Sequence, residues 1–257
     1  MPGRSFPSAV LAVPSRTRLE PPAPELLTDR MAARPRPPGA CGKPVRPAAP
    51  EPPPPVPGRP AHFLFTALSA VFLLVLFALT AWQVAAGGPL RGPDERAGRA
   101  VVGHGPAGPA EFLADLGNTQ IALPVLGCAI VWTLVRGARR APLYAALAMG
   151  AVPLLVVPLK AWIARPGPLT EATGYFPSGH AATAVVAYGA AALLVAPYVR
   201  RPWSWMMPVA AVLLTTATGI GLVLRGYHWP LDVLGSWFLC GAVLLPLRAV
   251  RNSQPPK

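Results

Sequence analysis

The sequence predicts an all-α membrane protein, with six transmembrane helices in a bundle and a disordered proline-rich tail in front of them. The first observation is composition: of 257 residues, 53% are hydrophobic and 13% are charged, whereas soluble domains average about 25% charged residues. The second is that the apolar residues form long runs, as membrane helices do. The third is that 18 of the 36 prolines lie in the first sixty residues.

Those first sixty residues differ from the rest of the chain. Besides their prolines they hold nine Lys or Arg against four Asp or Glu, and they lack the apolar core of a secretory signal peptide. Such a segment buries too little apolar surface to offset the entropy lost on ordering. We therefore predict a disordered cytoplasmic tail over 1–60, whose partner the sequence does not identify, a membrane domain over 61–251 and a short C-terminal tail over 252–257.

Six apolar runs approach the roughly 20 residues that a helix needs to cross a bilayer. The sixth contains Arg248, whose side chain has to extend to the membrane surface. Several runs contain proline, which membrane helices tolerate when neighbouring helices satisfy the freed carbonyl groups. The predicted spans are 63–86, 119–135, 141–159, 181–199, 202–224 and 231–250.

The basic residues of alternate loops predict the orientation of a multi-pass protein in the cell membrane. The segments after the second and fourth spans, together with the end of the sixth span and the segment after it, carry eight basic residues and no acidic one, whereas acids accompany the basic residues elsewhere in the membrane half. Cytoplasmic loops are enriched in Lys and Arg. Both termini are therefore predicted in the cytoplasm, and residues 160–180 and 225–232 on the extracytoplasmic face. The eight residues are Arg136, Arg139, Arg140, Arg200, Arg201, Arg248, Arg251 and Lys257.

The net charge of +13 does not indicate a nucleic-acid partner. No basic stripe is interleaved with aromatic residues, and the arginines lie beside apolar runs, where membrane orientation explains them. The cysteines Cys41, Cys128 and Cys240 have no spacing typical of a zinc site or a disulfide framework. The bilayer itself is the partner that the composition predicts.

The stretch FPSGH, residues 176–180, begins the fourth span. Ser178 is a natural N-cap, and the free N–H groups and positive dipole end of a helix start can hold an anion. Capping alone explains Ser178. It does not explain His180, because a charged imidazole is unfavourable in a first helical turn.

The stretch LRGYHWPLD, residues 224–232, places His228 four residues before Asp232. Pro230 suits the first turn of the sixth helix, so the Asp232 carboxylate is within reach of the imidazole. Such a carboxylate fixes the tautomer and leaves the other ring nitrogen free to attack. Taken separately, Asp232 fits an acid that complements the helix dipole, and His228 fits an aromatic belt at the membrane surface.

The stretch LKAWIARPGP, residues 159–168, adds Lys160 and Arg165 to the same predicted face. Either cation could simply anchor the third helix at the interface. However, the same predicted face also holds Arg225 as a third cation, besides two histidines, a carboxylate and a helix start. Together these groups are typical of a phosphoryl-transfer site. That reaction requires positive charge around the transferring oxygens, a nucleophile and an acid for the leaving oxygen.

In this order and spacing, Lys160, the tetrad 177–180 and the pair His228 and Asp232 resemble the motifs of the type 2 phosphatidic acid phosphatase superfamily. Its members include lipid phosphate phosphatases, undecaprenyl pyrophosphate phosphatases and vanadium haloperoxidases. The resemblance is specific over 160–232, extends at the level of topology over about 63–250, and leaves the tail outside.

The resemblance implies a role for each residue. His228 matches the nucleophile that forms a phosphohistidine, Asp232 its orienting partner and His180 the general acid. Lys160, Ser178 and the backbone N–H of Gly179 match phosphate ligands. No metal and no cofactor are required by that scheme.

Two family arginines are missing. Gly167 stands where the first motif has arginine, and Gly221 and Leu222 stand where the third motif begins Ser-Arg. Arg165 and Arg225 lie two residues before and three residues after these gaps, so we expect them to bind phosphate instead.

The sequence thus predicts a membrane phosphatase that hydrolyses a lipid phosphate or diphosphate at the extracytoplasmic face. Alternatives are a catalytically impaired relative that binds a phosphorylated lipid, an enzyme that transfers the phosphoryl group to an acceptor other than water, and a six-span transporter or scaffold. A transporter predicts charged or amide residues deep within the spans, and Asn118 and Gln120 near one end are the main candidates.

Overall fold

The structure, a computed structural model, describes residues 59–252. The predicted tail over 1–60 therefore lies outside the described residues except for its last two, which begin the first helix, and 252 is the only described residue of the predicted C-terminal tail. Residues 59–252 contain helices and no strand. The α-helices are α1 Arg59–Ala85, α2 Arg91–Val101, α3 Ala107–Asp115, α4 Thr119–Val135, α5 Arg140–Ile163, α6 Gly179–Val195, α7 Arg201–Ser204, α8 Met206–Leu224 and α9 Pro230–Asn252.

Five segments are long and apolar enough to cross a membrane, and a sixth forms if α3 and α4 are taken as one span bent by 44°. The predicted all-α membrane fold is thereby confirmed. The sequence predicted the second span over 119–135 alone, which is α4. The five straight segments are Phe63–Ala85, Arg140–Ile163, Gly179–Tyr198, Arg201–Leu224 and Pro230–Val250.

Two features are found at the bend between α3 and α4. Asn118 caps α4 by accepting a hydrogen bond from the backbone N–H of Gln120 at 3.2 Å. Just before it, Gly117 lies so close to α6 that a Cβ at this position would be 2.7 Å from the carbonyl oxygen of His180. A side chain there would push the bend away from the start of α6, so the glycine allows this contact.

Helix α6 is the most buried of the spans and packs against α4, α5, α8 and α9. Its buried positions are mainly small residues, which let neighbouring helix backbones approach closely. The fully buried alanines are Ala181, Ala182, Ala184, Ala187 and Ala190. Because α6 is central, its N-terminus meets the C-terminal ends of α5 and α8 and the N-terminal end of α9 at one end of the bundle.

Candidate active site

The loop between α5 and α6 folds back over the end of α5. Ala164 ends α5 in the left-handed conformation, at φ 45°, and a bridge between Pro166 and Thr173 closes the loop. This fold brings the carbonyl of Gly174 onto Lys160, whose Nζ donates a hydrogen bond to it at 2.9 Å. The half-buried ammonium group of Lys160 is thereby held at the mouth of the bundle.

The N-terminus of α6 is firmly fixed. The Ser178 hydroxyl accepts a hydrogen bond from the Ala181 N–H at 3.3 Å, and the side chain is fully buried. The Ser178 N–H donates to the carbonyl of Asp232 at 3.1 Å, and the Ser178 carbonyl accepts from the hydroxyl of Ser236 at 2.8 Å. These bonds join the start of α6 to the first turns of α9.

The same helix start leaves donors free. Within residues 59–252, the backbone N–H groups of Gly179 and His180 have no acceptor. A Cβ at Gly179 would meet nothing within 4 Å, so the space in front of these groups is open. Two free N–H groups at the positive end of a helix dipole suit an anion.

His228 is held as the sequence predicts. Its Nδ1 lies 3.4 Å from Oδ2 of Asp232, and the Trp229 N–H donates to the same oxygen at 3.0 Å. The ring of His228 also meets the edge of the Tyr175 ring, at 5.6 Å between centroids. With Nδ1 facing the carboxylate, Nε2 is the ring nitrogen available for other chemistry.

The three sequence stretches converge. His180 lies within electrostatic reach of both His228 and Lys160, and Lys160 lies within reach of Asp232. His180 is exposed while His228 is buried. Lys160, the start of α6, His180 and the pair of His228 and Asp232 therefore lie close together at one end of the bundle.

Arg165 has different partners from the phosphate that the sequence led us to expect. One terminal nitrogen donates to Oδ1 of Asp232 at 2.6 Å and the other to Oδ2 of Asp94 at 2.5 Å. The residue is 2% exposed and its guanidinium also lies against the Trp229 ring. Both terminal nitrogens are thus engaged by carboxylates.

Arg225 is likewise paired with an acid. Its Nε donates to Glu111 of α3 at 2.5 Å, and the Tyr227 hydroxyl donates to the same carboxylate. The Arg225 side chain is about one-third exposed. Its pair with Glu111 engages Nε, while its terminal nitrogens have no acceptor within residues 59–252.

Where the family arginines are missing, neighbouring groups occupy the space that a longer side chain would need. A Cβ at Gly167 would be 2.5 Å from the Tyr175 ring, and one at Gly221 would be 2.3 Å from the backbone nitrogen of Ala114 in α3. Leu222 is 1% exposed within an apolar cluster. Side chains at 167 and 221 thus require their neighbours to move, which accounts for glycine at both positions.

Sequence reasoning missed three residues around the site. Oδ1 of Asp94 accepts a hydrogen bond from the Leu231 N–H at 2.8 Å, and Oδ2 of Asp94 accepts one from Arg165. Trp229 is 3% exposed and donates through Nε1 to the carbonyl of Pro166 at 2.9 Å. Ser236, four residues after Asp232, joins α6 to α9. Its four-residue spacing from Asp232 was the one sequence feature that could have indicated this role.

The charge on Asp94 is shaped by its surroundings. Burial raises the pKa of this carboxyl above its usual range, and the hydrogen bond and positive charge of Arg165 act in the opposite direction. Asp94 lies in α2, outside the membrane-spanning segments. Across the described part of the chain, no group of three or more His, Cys, Asp or Glu side chains is placed to hold a metal ion.

Comparisons with known proteins agree with the observed fold. A family model described as the PAP2 superfamily matches residues 141–254, while no curated protein sequence matches the chain significantly. The crystal structure of a transmembrane PAP2-type phosphatidylglycerolphosphate phosphatase from Bacillus subtilis is similar, with a TM-score of 0.64 and 22% identity over 73% of this chain and 98% of that one. At that identity, the likeness concerns the fold. The resemblance indicated by the three motifs is therefore confirmed: residues 141–254 match the PAP2 superfamily, and the chain has the fold of a membrane protein of that superfamily.

Proposed function

We propose that this protein is a membrane phosphatase that hydrolyses a lipid phosphate or diphosphate at the extracytoplasmic face through a phosphohistidine intermediate. One observation carries the proposal: a carboxylate-bound histidine, a lysine, a second histidine and a helix start with two free N–H groups lie close together at one end of the bundle. The PAP2 phosphatase fold supports the same reaction class.

In the first step, Asp232 holds the Nδ1 proton of His228, and the Nε2 lone pair attacks phosphorus. The N–P bond forms as the bond from phosphorus to the leaving oxygen breaks, and His180 gives its proton to that oxygen. In the second step, His180 takes a proton from water, the oxygen of that water attacks phosphorus, and the N–P bond breaks. Inorganic phosphate leaves and both histidines return to their starting states.

The anion needs positive charge on its remaining oxygens throughout. Lys160 supplies a full charge, and the N–H groups of Gly179 and His180 supply oriented dipoles. Ser178 shapes this site indirectly, because its hydroxyl serves as the cap of α6. Arg225 has terminal nitrogens left to donate, whereas both terminal nitrogens of Arg165 are bound, so we assign Arg165 to the support of Asp232.

The position of the site favours a lipid substrate. The reacting groups lie at the end of a bundle whose flanks are apolar and exposed, so a headgroup can enter while its chains stay in the bilayer. The similar structure is that of a phosphatidylglycerolphosphate phosphatase, which makes this lipid the first to try. Phosphatidic acid and undecaprenyl pyrophosphate are the next candidates.

A phosphate-release assay over these three lipids tests the function. We expect the purified full-length protein in lipid micelles to release phosphate from at least one of them, without added metal. A water-soluble monoester such as p-nitrophenyl phosphate serves as the comparison, and we expect it to be a poorer substrate because it lacks the chains. Binding of all three lipids without any release would contradict the proposal.

The extracytoplasmic face is proposed from the basic loops alone. Glu171 lies exposed in the loop that carries Arg165. We expect Glu171→Cys, in intact cells, to react with a membrane-impermeant maleimide, and Arg139→Cys, at the opposite end of α5, to react only after permeabilisation. The reverse pattern would place the site in the cytoplasm.

A catalytically impaired relative that only binds phosphorylated lipid is the second candidate. It is favoured by one observation: both arginines near the gaps at 167 and 222 are paired with carboxylates. The release assay separates the two candidates, because saturable lipid binding with no phosphate release supports the impaired relative.

Arg225→Ala tests whether Arg225 contributes to the anion site. We expect kcat/KM to fall about 10²-fold, since the loss of one preorganised donor costs about that much. Arg201→Ala is the matched control, because Arg201 lies exposed before the opposite end of α8, and we expect parent kinetics from it. If Arg225→Ala keeps the parent kcat and KM, Arg225 has no role at the phosphate.

A further inference from the structure

We infer that Asp94 of α2 is a positioning residue, which acts through Arg165 to hold Asp232 and thereby the imidazole of His228. The inference rests on the proposed function, since it assigns His228 the attacking role. Asp94 lies outside residues 141–254, which match the PAP2 superfamily. Its position in the chain, 71 residues before Arg165, therefore adds a contact from a part of the protein that the family motifs do not include.

Four side chains form a continuous series. One terminal nitrogen of Arg165 lies 2.5 Å from Oδ2 of Asp94, and its other terminal nitrogen lies 2.6 Å from Oδ1 of Asp232. Oδ2 of Asp232 in turn lies 3.4 Å from Nδ1 of His228. The side chains are 3%, 1%, 0% and 8% exposed in that order. Solvent therefore screens these contacts little, and a shift at one end is transmitted to the other.

Asp94 also fixes the backbone on which Asp232 stands. Its second oxygen accepts the N–H of Leu231, in the first turn of α9. The Asp94 carboxylate thus binds both the guanidinium that donates to Asp232 and the helix turn that contains Asp232. This double contact is more than a surface salt bridge provides, because it restrains position as well as charge.

Asp94 also accounts for the way in which Arg165 is engaged. With Asp94 present, the guanidinium is bound at both terminal nitrogens, and its central carbon lies 5.4 Å from the centroid of the Trp229 ring. Without Asp94, one terminal nitrogen loses its acceptor while the charge stays buried, which is costly. Arg165 would then rotate, and the carboxylate of Asp232 would follow it away from Nδ1.

Charge provides a second route for the effect. The Asp94 carboxylate adds a negative charge to this series, and a nearby negative charge favours the protonated form of an imidazole. Removal of the Asp94 charge should therefore extend activity to lower pH, even as the rate falls. The other charged or titratable groups that face this series are Arg91, Glu95 and Arg99 on α2, Lys160 on α5, Tyr175 in the loop between α5 and α6, and His180 on α6.

Asp94→Asn tests the inference, since it removes the charge and keeps the shape. We expect kcat/KM to fall about 10- to 10²-fold, and the acidic limb of its pH profile to move to lower pH by about 0.5–1 unit. A residue with only a structural role would lower activity equally at every pH. Parent kinetics with the parent pH profile would overturn the inference.

Glu95→Gln is the matched control, one residue along the same helix with the same chemical change. Burial acts to raise the pKa of Glu95, but the hydrogen bond and charge of Arg91 outweigh it and lower the pKa. Glu95 is 3.9 Å from Arg165 and makes its short contact of 2.9 Å to Arg91 on its own helix. We expect the parent profile and kcat/KM within about twofold.

A double-mutant cycle with Arg165→Gln identifies the route. If Asp94 acts through Arg165, the loss of activity in the double variant should be clearly smaller than the product of the two single losses. Additive losses would overturn the inference. The same four proteins should show coupled melting temperatures, which tests the contact without turnover. Should Asp94→Asn not purify as a monodisperse protein, Arg165→Lys replaces it: a single ammonium group cannot bridge both carboxylates, so parent kinetics there would also overturn the inference.

Assays of the parent protein distinguish a failure of the proposed function from a failure of the role assigned to Asp94. A parent that releases no phosphate from any lipid contradicts the proposed function. An active parent whose Asp94→Asn variant is unaffected contradicts only the role of Asp94.

Discussion

Replacement of His228 by alanine is expected to abolish phosphate release, with a loss of at least about 10⁴-fold in kcat. The reason is that no other group in the described part of the chain is placed to take its role. Lys160 is a cation bonded to the Gly174 carbonyl. Within residues 59–252 His180 has no hydrogen bond to a carboxylate that would fix its tautomer, and Asp115 acts on it through charge alone. Without the nucleophile, the site keeps its anion-binding donors but lacks the covalent step.

The measurement combines turnover with trapping of the intermediate. After a brief incubation with ³²P-labelled lipid phosphate and an acid-free quench, the parent should carry label that is stable to alkali and labile to acid, as a phosphohistidine is. His228→Ala should carry none while still binding the lipid. His104→Ala is the control, because His104 is exposed in the loop between α2 and α3. Label or turnover that persists in His228→Ala would exclude His228 as the nucleophile.

Asp232→Asn is expected to have the second-largest effect, because it damages both rate and stability. Each oxygen of Asp232 accepts from a donor: Oδ1 from Arg165, and Oδ2 from the Trp229 N–H. An asparagine presents its NH₂ to one of these donors in either orientation. One buried donor is therefore left without an acceptor, and Arg165 loses one of its two compensating charges.

We expect the rate of phosphate release to fall about 10²- to 10⁴-fold, since the imidazole loses the partner that fixes its tautomer. The free energy of unfolding should fall by about 2–4 kcal/mol, which appears as a lower melting temperature in detergent. Glu171→Gln makes the same carboxylate-to-amide change at an exposed position and should alter neither property. A variant that loses stability but keeps its rate would show that Asp232 only supports the fold.

The local order of apolar residues was enough to predict the membrane-spanning helices, though not the short helix α2. The predicted span over 63–86 agrees with the observed Phe63–Ala85, and that over 202–224 with Arg201–Leu224. This succeeds because the length of a span and its hydropathy depend on consecutive residues. The second span was incomplete, since its 44° bend arises where Gly117 contacts α6, a contact between residues far apart in the chain.

The candidate site divides in the same way. The sequence predicted that Lys160, His180, His228 and Asp232 form one site. Motif spacing and helix starts are local signals, and the resemblance to a known family supplied the order of the motifs. The partners of the arginines were decided by the tertiary structure: Arg165 meets Asp94 across 71 residues, and Arg225 meets Glu111 across 114. Whether a buried guanidinium binds a phosphate or a carboxylate depends on which acid the packed helices place beside it, and no local pattern encodes that neighbour.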